Sequence, residues 1–264
     1  MVIAGYFASV LIGVSLGLIG GGGSILTVPV LVYLFSIDAV IATTYSLFVV
    51  GTTSVVGSLS YFRKGLVDVR TAFVFGVPSI ASVFFTRRFI VPAIPNEIFS
   101  IGSFIVTKSA LLLLLFAILM VFASYNMIKK RALQTDESSD KIPDYPLVIM
   151  QGLAVGLLTG MVGAGGGFLI IPALVNMLKI PMKKAIGTSL MIISMNSLFG
   201  FMVSLNQITI QWKLLLSVTS IAVAGILIGS FISTRIDGKK LKPAFGWFVL
   251  VMGIYIIIRE TLFS

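Results

Sequence analysis

The sequence predicts an all-α polytopic membrane protein of two inverted repeats, each a re-entrant-type hairpin with a short second helix plus three transmembrane helices. Three observations carry that prediction. First, 58% of the 264 residues are hydrophobic and only 11% charged, and the charges are clumped. Residues 1–37, 39–62, 71–86, 109–128, 145–178, 185–212, 214–234 and 243–258 hold no Asp, Glu, Lys or Arg, and several of these runs exceed the roughly 20 apolar residues that cross a bilayer. Second, a glycine-rich string recurs about 143 residues along the chain, as GGGGSILTVPVLV at 20–32 and GAGGGFLIIPALV at 163–175. Third, Lys and Arg divide unevenly between the loops.

A shift of 143 lays residues 13–57 on 156–200 without a gap. Gly13/Gly156, Gly17/Gly160, Gly20/Gly163, Gly22/Gly165, Gly23/Gly166, Pro29/Pro172, Ser46/Ser189, Ser54/Ser197 and Gly57/Gly200 are identical pairs. Glycines, prolines and serines each have positional work to do, so their coincidence marks a duplication. The predicted helices cover 2–19, 24–36, 39–62, 71–92 and 103–128 in the first half, and 146–162, 167–178, 184–206, 213–235 and 242–260 in the second. The halves are thus 1–128 and 146–264, joined by a polar linker at 129–145 that carries Lys129-Lys130-Arg131 and Asp136-Glu137. With no basic segment and no charge before Asp38, the N-terminus reads as a first membrane segment rather than a signal peptide.

The second helix of each half has about a dozen residues. At 1.5 Å per residue that is about 18 Å, short of a hydrocarbon core of roughly 30 Å. Helices one and two therefore form either a hairpin or one broken span, and charge decides. With hairpins, one face collects 14 Lys and Arg and the other keeps five, Arg87, Arg88, Lys108, Lys213 and Arg259; with continuous spans the split is 10 to 9. The positive-inside rule selects hairpins, with both chain ends outside and the 129–145 linker cytoplasmic. Three full crossings per half then invert one half relative to the other.

A glycine run inside a membrane segment breaks the helix where a break is most costly. It lets backbones approach closely and leaves the N-terminus of the next half-helix as an anion site that needs no charged side chain. Candidate substrate-binding residues are accordingly Gly21, Gly22, Gly23 and Ser24 in one half and Gly165, Gly166 and Gly167 in the other. The third helices add neutral donors at paired positions: Ser46/Ser189, Thr53/Asn196 and Ser54/Ser197. Gly13, Gly17, Gly152, Gly156 and Gly160, spaced by four, read as helix-packing residues.

What is absent also informs. The chain has no His and no Cys, which removes imidazole relays, thiol chemistry and the usual transition-metal ligands. All nine acids lie at segment ends or in loops, so no intramembrane carboxylate relay and no acid–base pair for catalysis is expected. No catalytic residue, metal or cofactor is predicted. The net charge of +10 belongs to segment ends, hence to topology and lipid headgroups rather than nucleic acid. The expected partners are the bilayer and a small anionic substrate; the oligomeric state stays open, a homo-oligomer included.

VGAGGGFLIIPAL at 162–174, GGGGSILTVPVL at 20–31 and AIGTSL at 185–190 resemble the signatures of the sulfite exporter TauE/SafE family. The resemblance covers nearly the whole chain. It implies export of small sulfur-containing anions, such as sulfite, sulfoacetate or a related organosulfonate, across a prokaryotic inner membrane. A channel-like anion pore, or a permease importing sulfate or thiosulfate, is the competing expectation. The first copy departs from the second in having Ser24 where the other keeps Gly167, so the repeat does not require the two half-sites to be equivalent.

Overall fold

The computed structural model describes the chain except residues 1, 22, 96, 102–103, 129–144, 164, 177, 179, 206–207, 234–237 and 263–264. The linker assigned to 129–145 therefore lies outside the described residues, save for Tyr145. The described chain is helical almost throughout. The first half runs α1 (Val2–Ile19), α2 (Ser24–Pro29) continued by a π-helical turn (Val30–Leu34), α3 (Ala39–Arg63), and α4 (Val69–Phe85) continued by a second π-helical turn (Thr86–Ile90) and α5 (Val91–Ala93). Strands β1 (Glu97–Ile101) and β2 (Phe104–Thr107) lead to α6 (Lys108–Ile128). The second half runs α7 (Tyr145–Val162), α8 (Gly167–Asn176), α9 (Met182–Ser204), α10 (Trp212–Ile232) and α11 (Gly238–Leu262).

Two features depart from the all-α expectation. The fifth helix, expected from residue 103, begins at Lys108, because the apolar run before it pairs as an antiparallel hairpin with Ile101 opposite Phe104 and Glu97 opposite Thr107. The short helix expected over 24–36 is α-helical for six residues only. Pro29 has no N–H, and its ring crowds the carbonyl four residues back. The ladder widens to the π form from Val30 onward.

Two helix starts are fixed by aspartate caps. Asp38 Oδ1 accepts from Val40 N at 2.8 Å and Asp68 Oδ1 from Thr71 N at 3.0 Å, each satisfying a helix-start donor. Among the described residues, Ala39–Arg63, Val69–Ala93, Met182–Ser204 and Trp212–Ile232 are each long and apolar enough to cross a membrane. The outer surface of the bundle suits lipid: Ile3, Phe7 and Leu11 on α1, Phe73 and Val77 on α4, and Val251, Tyr255 and Ile258 on α11 are all exposed. Such a broad apolar exterior has no place in water. The protein is an integral membrane helix bundle.

The packing repeats across the halves. The shift of 143 maps α1 onto α7 and α4 onto α10. Correspondingly, α1 packs along α10 and α7 along α4, while α3 packs on α9, α6 on α11 and α2 touches α8. Each pairing is either its own mate or has one, as a two-fold relation requires. Glycine sets the spacing of the crossed pairs. A Cβ on Gly17 would stand 2.6 Å from Ser230 N, and one on Gly160 would stand 2.7 Å from Thr86 Cβ.

Candidate functional site

The two glycine breaks share a backbone design and meet each other. Gly20 ends α1 with φ +80° and Gly163 ends α7 with φ +72°, a region in which a side chain is strained. Each closes the preceding turn in the same way, Gly20 N donating to Leu16 O and Gly163 N to Thr159 O, both at 2.8 Å. Each rests on the third helix of the other half: a Cβ on Gly20 would lie 2.7 Å from Ile186 Cγ2, and one on Gly163 would lie 2.7 Å from Thr43 Cα. Ile186 and Thr43 are themselves related by the repeat. Where α2 and α8 begin, Gly21 and Gly167 touch backbone to backbone; a Cβ on Gly167 would stand 2.5 Å from Gly21 Cα. No side chain larger than hydrogen fits on either residue without moving the other break.

The remaining glycines do different work. Gly23 packs against the carbonyl of Ile12 and the hydroxyl of Ser15 on α1. Gly165 sits between the third helices, its absent Cβ 2.7 Å from Val50 Cγ1 on α3 and 3.0 Å from both Ile193 Cγ2 and Ser197 Oγ on α9. Gly166, with φ +72°, lies against Thr159 Oγ1. Gly22 lies outside the described residues.

The hydroxyls predicted to bind substrate separate into two groups. Ser24 donates to Gly21 O at 2.7 Å, Thr53 to Val49 O at 2.5 Å and Ser189 to Ile186 O at 2.8 Å. Their protons are used by backbone carbonyls, the usual arrangement for a hydroxyl inside a membrane helix. Ser46, Ser54 and Ser197 are fully buried, yet their Oγ atoms make no hydrogen bond to a described residue. Asn196 donates through Nδ2 to Ser79 Oγ at 2.6 Å while its Oδ1 has no such partner. A buried polar group left this way costs about 1–3 kcal/mol and calls for a reason. Ser54 and Ser197 are repeat mates on α3 and α9, the two helices that flank Gly165.

One residue escaped the sequence reading. The charge count over the loops puts Arg87 with the water-facing cations, but it is only 2% exposed, within the π-helical turn of the α4 span. Its Nη1 donates to Thr43 Oγ1 and Thr44 Oγ1, each at 3.3 Å. The available signal was its place inside the predicted helix 71–92, where a charge is costly and functional by default.

A bundle of apolar helices with two glycine breaks meeting in its interior defines the class of membrane transporters with duplicated halves. The sequence profile of the family described as sulfite exporter TauE/SafE matches residues 6–256, and the chain belongs to that family. It is 31% identical over 260 residues to a probable membrane transporter protein of Xylella fastidiosa strain 9a5c, covering 95% of this chain and 92% of that one. Probable membrane transporter proteins of Methanocaldococcus jannaschii and Bacillus subtilis are each 26% identical over 262 residues, covering 94% of this chain and 92% and 93% of theirs. No solved structure matches the chain.

Proposed function

We propose that this protein exports a small sulfur-containing anion, sulfite, sulfoacetate or a related organosulfonate or oxyanion, across a prokaryotic inner membrane. The two halves act as inverted repeats, and substrate binds where their breaks meet. The observation that carries this reading is the pair Ser54 and Ser197: buried donors without a described partner, at equivalent positions on the two helices beside the glycine junction. Neutral hydroxyls and a half-helix N-terminus suit an oxyanion, whose charge they stabilise without a fixed cation that would hold it too tightly. The described acids Asp38, Asp68, Glu97 and Glu260 all stand at element ends, which supports movement without a coupling carboxylate. An inside-negative potential already drives a monovalent anion outward by about 2.3 kcal/mol per 100 mV.

The reading places both chain ends outside and the 129–145 linker in the cytoplasm. Purified protein in proteoliposomes, assayed with sulfite, sulfoacetate, sulfate, thiosulfate, chloride and acetate, tests it. Saturable flux of sulfite or sulfoacetate, with mutual competition and a response to clamped potential, is expected. Flux that is linear in concentration, without competition, would make the protein a channel. Strict dependence on an imposed Na⁺ or proton gradient would remove the uniport mechanism. The orientation is tested by a Ser138→Cys variant in this cysteine-free chain; labelling from the periplasmic side alone overturns it.

A further inference from the structure

Arg87 has no part in the site just described, and what surrounds it forms a second one. A cavity of about 350 Å³ is bounded by Thr44 on α3, by Arg87 and Arg88 on the π-helical turn, and by Lys108 at the start of α6. Three cations thus share one small wall, although like charges gathered at short range repel. Asp38, next to this end of α3, attracts Lys108 and so offsets one of the three charges, while its carboxylate also accepts from Val40 N, Ile41 N and Ser109 Oγ. The cluster exists in one half only. The repeat mate of Arg87 is Ser230, in a stretch of α10 that is α-helical throughout. The π-helical turn and the arginine occur together, and such turns concentrate at functional sites.

We propose that this cavity is an oxyanion-binding pocket, in which Arg87 donates to one oxygen of a sulfonate-type group while Lys108 and Arg88 balance its remaining charge. A charge-assisted hydrogen bond from an arginine to an oxyanion is roughly twice as strong as a neutral one. The volume is at the lower end for a ligand pocket, which suits a small anion with some of its water. The pocket communicates with the glycine junction through one residue. Thr43 accepts from Arg87 through its hydroxyl, and its backbone lies against Gly163, the first residue of the second break. As an antechamber to transport the pocket rests on the function proposed above; as an anion site it does not.

The test uses the full chain with Val40, on the cavity wall, changed to Cys. Sulfate and sulfoacetate serve as probes because sulfite itself reacts with thiol reagents. In Val40→Cys protein, either anion should slow modification by a thiol reagent. The added change Arg87→Gln should raise the half-protecting concentration by about 30-fold or more, the lower end for losing a charged hydrogen-bond partner. Lys108→Gln, at a partly exposed position, should raise it less and covers the case in which the Arg87 variant does not fold. Modification unaffected by any anion, in protein whose sulfoacetate flux is saturable, would overturn the pocket and leave the proposed function standing. Protection that is lost with Arg87→Gln, in protein that moves no sulfur-containing anion, would support the pocket and remove the function.

Discussion

The two halves of this molecule descend from one design and have diverged in a consistent direction. The second half is regular: α8 and α10 are α-helical throughout, and neither Pro181 nor Gln211 caps α9 or α10 through a side chain. The first half holds both π-helical turns and both aspartate caps, Asp38 and Asp68, along with the buried Arg87. Backbone geometry persisted even where chemistry did not. Asp38 has φ −51° and ψ 142°, and its repeat mate Pro181 has φ −54° and ψ 139°, so the same helix start is made by a carboxylate in one half and by a locked ring in the other. The lesson is that the glycine turn opening each break, Gly20 and Gly163, is common to both halves, whereas the start of the half-helix, Ser24 against Gly167, and the periphery, Arg87 against Ser230, differ.

The sharpest way to break the comparison is at the junction. Gly166→Ala places a Cβ against Thr159 Oγ1 at a residue with φ +72°, adding about 1–2 kcal/mol of backbone strain to the clash. Flux should be abolished, and Thr159→Ala should recover part of it by removing the clashing hydroxyl. Gly21→Ala should be equally damaging but beyond rescue by any partner substitution, because the facing atoms are the backbone of Gly167. Normal flux in both glycine variants, in inserted protein, would show that the breaks need no close approach.

The next effect separates the two crossed seams. A Cβ on Gly17 meets Ser230 N at 2.6 Å and Ile226 O at 2.7 Å, all backbone, whereas one on Gly160 meets Thr86 Cβ at 2.7 Å and Cγ2 at 2.9 Å. Each alanine variant should lose about 1–3 kcal/mol, the usual cost of overpacking. Thr86→Gly should restore stability to Gly160→Ala, while no partner substitution restores Gly17→Ala. Thermal unfolding in detergent measures this; equal rescue of both, or of neither, would erase the distinction between seams. A smaller loss, about 1 kcal/mol, is expected for Asp38→Ala, which uncaps α3 and frees Ser109. Pro181→Ala has no side-chain cap to lose and should cost less in the same assay.

Much of the bundle was legible because glycine breaks and charges end its helices. The expected segment 2–19 is α1 as observed, and 39–62 and 146–162 lie within a residue of α3 and α7 at each end. The breaks were legible because glycine runs interrupt apolar sequence twice at one spacing. Less visible was the hairpin from Glu97 to Thr107, whose Ile, Phe and Val suit either a strand or a membrane helix until pairing decides. The π-helical turn after Pro29 has no counterpart in α8, although Pro172 occupies the matching position, so proline alone does not specify it. Burial of Arg87 depends on hydroxyls of Thr43 and Thr44 from another helix, a contact no local pattern contains. Within the candidate site the serine pattern was legible, but which hydroxyls remain without a partner is a matter of rotamer and neighbour.

That last point yields the subtlest test, at Ser46 and Ser189. The two are identical residues at equivalent positions, and both are fully buried. Ser189 gives its proton to Ile186 O at 2.8 Å, while Ser46 Oγ has no described partner. Removing Ser189 Oγ deletes a weak local bond and should change stability by no more than about 0.5 kcal/mol. Removing Ser46 Oγ takes away a desolvated group and should leave stability unchanged or raise it by up to about 1 kcal/mol. Transport should respond in the opposite sense. A hydrogen bond to a charged substrate is worth about 1.5–3 kcal/mol, so Ser46→Ala should weaken half-saturation for sulfoacetate by about tenfold or more. Ser189→Ala, whose proton is already held, should shift it by less than about threefold. Paired measurements of Tm and flux on the two variants decide the matter. If Ser46→Ala is destabilising and transports normally, the hydroxyl belongs to the packing and the asymmetry between the halves stops short of the substrate.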